Sequence, residues 1–448
     1  MSTTKALQMI VSAAALVGFC AAGAAEAAAV ADFIDDFHLG TTVGQTASFG
    51  DGWEYLWNAP PDWTGTSSAS GNGGAITSVA DYELLKWSGD RWTADGDNDT
   101  GTGSPAEWLR LRDPQVLGTP QPGHHPGTGA GQSGTNLDRY VITAYTVSAA
   151  GPYTLTGTNL DTEGGGGNGN EVRVYTSADV NNPLKSVVFD GVTNGYFGTY
   201  LGALSAGETV YVAVGPNNNG GSDNFFDFDF TIREGLPLAY YDFESSSLAD
   251  KQGTPNVTAG DVTPDAGVGL HSFQSGQGAD GEAARFDGWD SATLADAVAN
   301  GDFVTFALTA NGGSFDLDSL AFGIRGDTAN NGPPTNYQWQ YDLAGAGFAD
   351  LVGPGAGTIT PGAVDMEFYT ADFPAGTVLN DTDSLVLRLI VWDESGSTNS
   401  GRRIRVDEIR LIGMPAGPEE VIPEPLTLAL AAIGLAGLGG YARRRRKP

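Results

Sequence analysis

Between positions 30 and 420 apolar residues recur mostly at every second position, and no stretch holds a 3.6-residue period for long. Phe226, Phe228, Phe230 and Ile232 alternate with Asp227, Asp229, Thr231 and Arg233, which predicts a strand with one face in a core and the other in water. Similar runs predict strands at 140–147, 153–156, 171–176, 186–189 and 209–214, with Gly/Asn-rich turns such as 164–168 between them. A second series follows at 239–244, 303–309, 314–325, 337–343, 366–369, 384–392 and 404–412. The run Ser384–Trp392 is apolar on both faces apart from Arg388, as a central strand should be. One short helix is predicted at 290–299.

Many short strands with Gly-rich turns imply an all-β fold, and the break at Glu234-Gly235-Leu236-Pro237-Leu238 divides it into two β-sandwiches. The predicted organisation is a first sandwich over 30–233, a linker at 234–238, a second, jelly-roll-like sandwich over 239–413, and a tether at 414–420. Each part opens on an acidic-aromatic strand, Asp35-Asp36-Phe37 and Asp242-Phe243-Glu244. Each closes on an acid-studded one, at 227–232 and 406–411. Pairing of first and last strands would bring those carboxylates together.

The two ends read as sorting signals. Lys5, the apolar run 9–22 and the small residues up to Ala29 predict a signal peptide over 1–29, removed by signal peptidase. At the other end Pro423-Glu424-Pro425 precedes an uncharged run at 426–442 and the basic cluster Arg443, Arg444, Arg445, Arg446 and Lys447. At about 1.5 Å per residue that run spans roughly 25 Å, a short stop-transfer helix with its basic end inside the cell. These ordered parts, over 421–448, resemble the PEP-CTERM sorting signal. The resemblance implies processing by an exosortase near Pro423, Glu424 and Pro425, a transient membrane anchor, and an exported protein of the cell envelope or extracellular matrix associated with exopolysaccharide. The second part, with its DFE opening and VDEIRLIG ending, is similar to the galactose-binding-like jelly rolls of carbohydrate-binding modules. That likeness implies a structural calcium between terminal strands, here through Glu244 and Asp407.

The chain carries 22 Lys+Arg against 54 Asp+Glu, a net charge of −32, which argues against nucleic acid as a partner. Its one cysteine, Cys20, leaves no internal disulfide, and with the signal peptide removed it leaves no thiol nucleophile. Asp95, Asp97 and Asp99 alternate as in a calcium loop, but Thr100 and Ala106 stand where an EF-hand needs Gly and Glu, so a solvated acidic turn competes with calcium there. Six of the nine tryptophans fall between Trp53 and Trp108. Trp53, Trp57 and Trp63, set among Glu54, Asn58 and Asp62, have the residue types of a sugar-stacking face; filling a core is the competing role. The histidines are His38, His124, His125 and His271, and neither a G-x-S-x-G nor an H-E-x-x-H motif occurs. The expected function is therefore a non-catalytic exported envelope or matrix protein. The alternatives are a specific carbohydrate-binding protein and, third, a glycoside-active enzyme.

Overall fold

The computed structural model describes residues 29–416 apart from 61–74, 97–109, 113–122, 126–138, 163–168, 190–194, 218–224, 227, 244–245, 276–281, 328–332, 361–365 and 394–401. Four antiparallel sheets form two sandwiches. In the first, one sheet runs Lys185–Phe189, Asn170–Thr176, Thr209–Gly215, Val141–Thr146, Trp53–Asn58, Tyr82–Leu84, and faces a sheet built on Gly151–Thr162. In the second, Arg403–Pro415 lies at the middle of one sheet, and the facing sheet runs Val257–Ala259, Phe303–Ala310, Ser384–Trp392, Asn336–Leu343, Ala349–Asp350. Each sandwich has its own apolar core, the first around Trp53, Phe228 and Phe230, the second around Trp339, Phe306 and Leu387.

The alternation in the sequence is what fills these cores. Phe228, Phe230 and Ile232 are buried, as the period of two requires. Ser384–Trp392 is flanked on both sides, by Phe303–Ala310 and Asn336–Leu343. First and last strands do pair in both sandwiches: Ala29–Asp32 with Asp229–Glu234, and Leu236–Tyr241 with Arg403–Pro415. Only Gly235 separates the last strand of the first sandwich from the first strand of the second; its φ of +149° is a conformation that suits glycine. The predicted helix is present at Leu294–Asn300, capped by the Thr293 side chain, which accepts from the Asp296 N–H.

The expected terminal helices are corrected. Among the described residues no helix is long and apolar enough to cross a membrane. The segments 1–28 and 417–448, which carry the signal peptide, the 426–442 run, Pro423, Glu424, Pro425 and Arg443, Arg444, Arg445 and Arg446, lie outside the described residues. The described residues form an all-β architecture with one short α-helix, Leu294–Asn300.

The pairing of terminal strands in the first sandwich sets one titration. Burial, with the Asp32 carboxylate beside it as the next cause, pushes the Asp229 carboxyl up to about 7. A carboxyl with a raised folded pKa holds its proton more tightly in the folded state. Its contribution is therefore fully present below its ordinary value of 3.8 and is lost as pH rises through about 7. Asp229→Asn is expected to raise stability at pH 8 by on the order of 2 kcal/mol relative to the parent, with the gap closing toward pH 4. Thermal melts of both proteins across that range check this, and a gap independent of pH would contradict it.

Candidate functional site

The outer face of one sheet of the second sandwich carries a hydrogen-bonded row of polar side chains beside an exposed aromatic ring. On its strands Val304, Phe306, Trp339, Leu387 and Leu389 turn into the core, so Phe303, Thr305, Arg388, Gln340 and Asp342 turn outward. The strand register then sets Thr263, Thr305, Arg388, Gln340 and Asp350 directly opposite one another in a row across five strands. A shift of one residue in any pairing would replace this row by core side chains.

The row is hydrogen-bonded along its length. Arg388 donates from Nε and Nη2 to Gln340 Oε1 at 2.9 and 2.6 Å. Gln340 donates from Nε2 to Asp350 Oδ1 at 2.7 Å, and Thr305 donates to the Thr263 carbonyl at 3.0 Å. These bonds hold the guanidinium flat, with Nη1 of Arg388 and Oδ2 of Asp350 outside the row's own bonding. Burial pulls the Arg388 pKa down, while Asp342 and Asp350 act the other way.

Two aromatic rings frame the guanidinium. Its carbon lies 3.6 Å from the Phe348 ring centroid and 5.3 Å from that of Phe303. Phe348 is 39% exposed, a large apolar ring held at the surface. A tight turn holds it there: Asp342 Oδ1 accepts from the Gly347 N–H at 3.0 Å, and Gly347 has a φ of +100°, which side-chain-bearing residues resist. Beside the row a groove of about 730 Å³ is lined by Tyr341, Phe348, Thr377, Val378 and Asn380 among others. Phe348 thus borders both the groove and the polar row. Such a surface can cover an apolar C–H face with a ring while planar amide, guanidinium and carboxylate groups meet hydroxyls in pairs.

The residues expected from sequence lie elsewhere. Trp53 and Trp57 are 1% and 0% exposed in the first core, so their indole faces are spent on protein neighbours and cannot stack on a sugar; Trp63 lies outside the described residues. Asp95 sits in a turn after the Arg91–Thr93 strand, whereas Asp97, Asp99 and Glu244 are outside the described residues. Asp407 is buried, and its Oδ1 accepts from the Glu408 N–H at 2.9 Å. Among the described residues no group of three or more His, Cys, Asp or Glu side chains is placed to hold a metal ion. Phe348, Gln340 and Asp350 had no sequence signal of their own. Arg388 had one, as the single charge in an otherwise apolar strand.

No protein-family model matches the chain, and no curated protein matches it. Solved structures similar to it include the xylan-binding domain CBM22-1 of Paenibacillus barcinonensis Xyn10C, at 13% identity, TM-score 0.26, over 41% of this chain and 97% of that one. The CBM22-1–CBM22-2 tandem of the same protein matches at 11% identity and TM-score 0.24, over 62% of this chain and 87% of that one. Tandem CBM51 modules of a Streptococcus pneumoniae family 98 glycoside hydrolase match at 8% identity and TM-score 0.19, over 72% and 90%. At such TM-scores these superpositions assign neither fold nor ligand to this chain.

The resemblance to a PEP-CTERM protein is corrected accordingly. It finds no family match, and no membrane-spanning helix exists among the described residues. With it go the roles assigned to exosortase, signal peptidase, membrane and exopolysaccharide as partners, and the location in an envelope or matrix.

Proposed function

We propose that this is a non-catalytic carbohydrate-binding protein whose site is the outer face around Phe348 and Arg388. The observation that carries this reading is the pairing of a surface-held aromatic ring with a hydrogen-bonded Arg388–Gln340–Asp350 row beside a groove. A pyranose ring is amphipathic in the same way, with C–H groups on its faces and hydroxyls at its rim. Phe348 covers a face; Arg388 Nη1 and Asp350 Oδ2 meet the rim. A groove of about 730 Å³ has the volume for more than one sugar residue, which suits a stretch of polysaccharide.

The test is binding of the full chain to immobilised neutral polysaccharides, a β-1,4-glucan, a xylan and a mannan, measured beside its variants. Phe348→Ala is expected to weaken the best of these about three- to tenfold, the worth of one ring contact, with the melting temperature unchanged. Arg388→Ala is expected to weaken it further, because it also releases Gln340. Absence of binding to all three, or equal binding by the parent and both variants, overturns the proposal.

A further inference from the structure

The groove beside Phe348 opens between the two sheets of the second sandwich. Tyr341 and Leu343 reach it from the Asn336–Leu343 strand, and Val378 from Val378–Leu379, which pairs with Phe315–Gly326 on the facing sheet. Tyr341 and Leu343 also pack against the second core, and the Tyr341 ring meets Phe373 edge-on with centroids 5.2 Å apart. The groove therefore runs from an exposed mouth at Ala346, Phe348 and Ala349 down to the edge of that core.

Its lining differs in kind from the polar row. Tyr341, Leu343, Ala346, Phe348, Ala349 and Val378 make it largely apolar, and among the described residues no charged side chain lines it. Thr377 and Asn380 each spend a donor within the protein, Thr377 Oγ1 to the Pro374 carbonyl and Asn380 Nδ2 to Asp383 Oδ2 at 2.9 Å. Arg388 and Asp342, which carry charge near Phe348, are bonded to Gln340 and to the Gly347 N–H. A hydroxyl moved into the groove exchanges water for few protein partners, whereas an apolar group gains its burial.

At about 730 Å³ the groove holds more than the one sugar ring that Phe348 can cover. Of the apolar groups able to fill the remainder, a planar ring gains most: aromatic pairs gain beyond their buried area, and Tyr341 and Phe348 both border the space. We infer that the groove takes an aromatic group carried on the bound sugar, as an aryl ester or aryl glycoside. This rests on the carbohydrate-binding reading above and narrows it, from a bare glycan to one with aromatic substituents. Phe348, shared by the row and the groove, sets the sugar and its substituent side by side.

Calorimetric titration of the full chain with methyl and phenyl β-glycosides of cellobiose, xylobiose and mannobiose tests this. For the sugar that binds best, the phenyl form is expected to bind about tenfold tighter than the methyl form. Ala346→Asp, at the exposed mouth, sets a charge against the groove and is expected to bring that ratio down to about two or less. Val378→Thr, which keeps the shape and adds a hydroxyl, is expected to fall between. A ratio taken within one variant is not moved by a general loss of folded protein, and melts of both variants accompany it. Equal binding of the two forms by the parent, or a ratio that Ala346→Asp retains in full, overturns the inference and leaves the carbohydrate-binding reading standing. If neither the glycosides nor the polysaccharides bind, that reading falls and the inference falls with it.

Discussion

Replacing Arg410 by alanine is expected to cost about 3–5 kcal/mol of stability, because it strands a buried carboxylate between the two sandwiches. Arg410 leaves the Arg403–Pro415 strand on the side facing the first sandwich, and its side chain is only 3% exposed. It donates to the Tyr196 hydroxyl at 3.4 Å and to the Gly198 carbonyl at 3.3 Å, both on the first sandwich. Its guanidinium carbon lies 4.3 Å from the Tyr240 ring, and Nη2 lies 3.5 Å from Glu408 Oε2. Tyr240 donates to the same Glu408 carboxylate at 2.8–2.9 Å. The approach depends on Gly198, where an added Cβ would stand 2.4 Å from Arg410 Nη1. Stacking of Tyr196 on Phe368, with centroids 4.7 Å apart, continues the same contact. Without Arg410 the largely buried Glu408 carboxylate loses the guanidinium beside it. Denaturant unfolding followed by tryptophan fluorescence measures the loss. Adding Glu408→Gln to an Arg410→Met variant should recover at least half of it, since no charge is then left buried. A loss under 1 kcal/mol would show that the network does not hold the sandwiches together.

Trp53→Ala is expected to cost a further large amount, about 3–5 kcal/mol, through the cavity it leaves in the first core. The indole packs against Phe33, Tyr145 and Phe230 at centroid distances of 5.0–5.8 Å and donates from Nε1 to Asp36 Oδ2 at 3.3 Å. Phe33 in turn stacks on Phe230 at 5.1 Å, so the loss spreads along the ring cluster. Phe348→Ala is the matching surface change and is expected to move stability by less than about 0.5 kcal/mol. The two variants therefore separate the two roles an aromatic can have here. If Trp53 served as a sugar platform, its removal would lower glycan affinity with stability intact; the opposite pattern is expected in melts and binding measured side by side.

Much of the framework was readable along the chain. Phe228, Phe230 and Ile232 alternate with polar residues and are buried, and Ser384–Trp392, apolar on both faces, lies between two partners. The short helix was visible through the apolar pattern that Thr293 caps. The tryptophans stayed open between two roles because composition shows only that large rings are available. Whether Trp53 meets a sugar or Phe230 depends on what the rest of the chain places over it. The linker expected at 234–238 was suggested by Gly235 and Pro237, yet Pro237 is paired in the strand that joins Leu236–Tyr241 to Arg403–Pro415. That strand lies at the end of its sheet, where the missing N–H of proline is tolerated. The terminal segments carried the strongest motif of the sequence, and neither the fold nor any family match supports the function drawn from it.

By itself the sequence determined that the chain is all-β, where most of its strands run, which side chains turn inward on them, and that the molecule is strongly acidic. All of these are local or summed properties: a period of two needs only neighbouring residues, and charge needs only a count. Only the tertiary structure decided that Arg388 lies against Gln340, 48 positions away, and beneath Phe348. The physical reason is register. Alternation tells which face a residue takes, but the residue opposite it is chosen by the long-range packing of whole sheets, and functional chemistry on a sheet consists of such opposed residues.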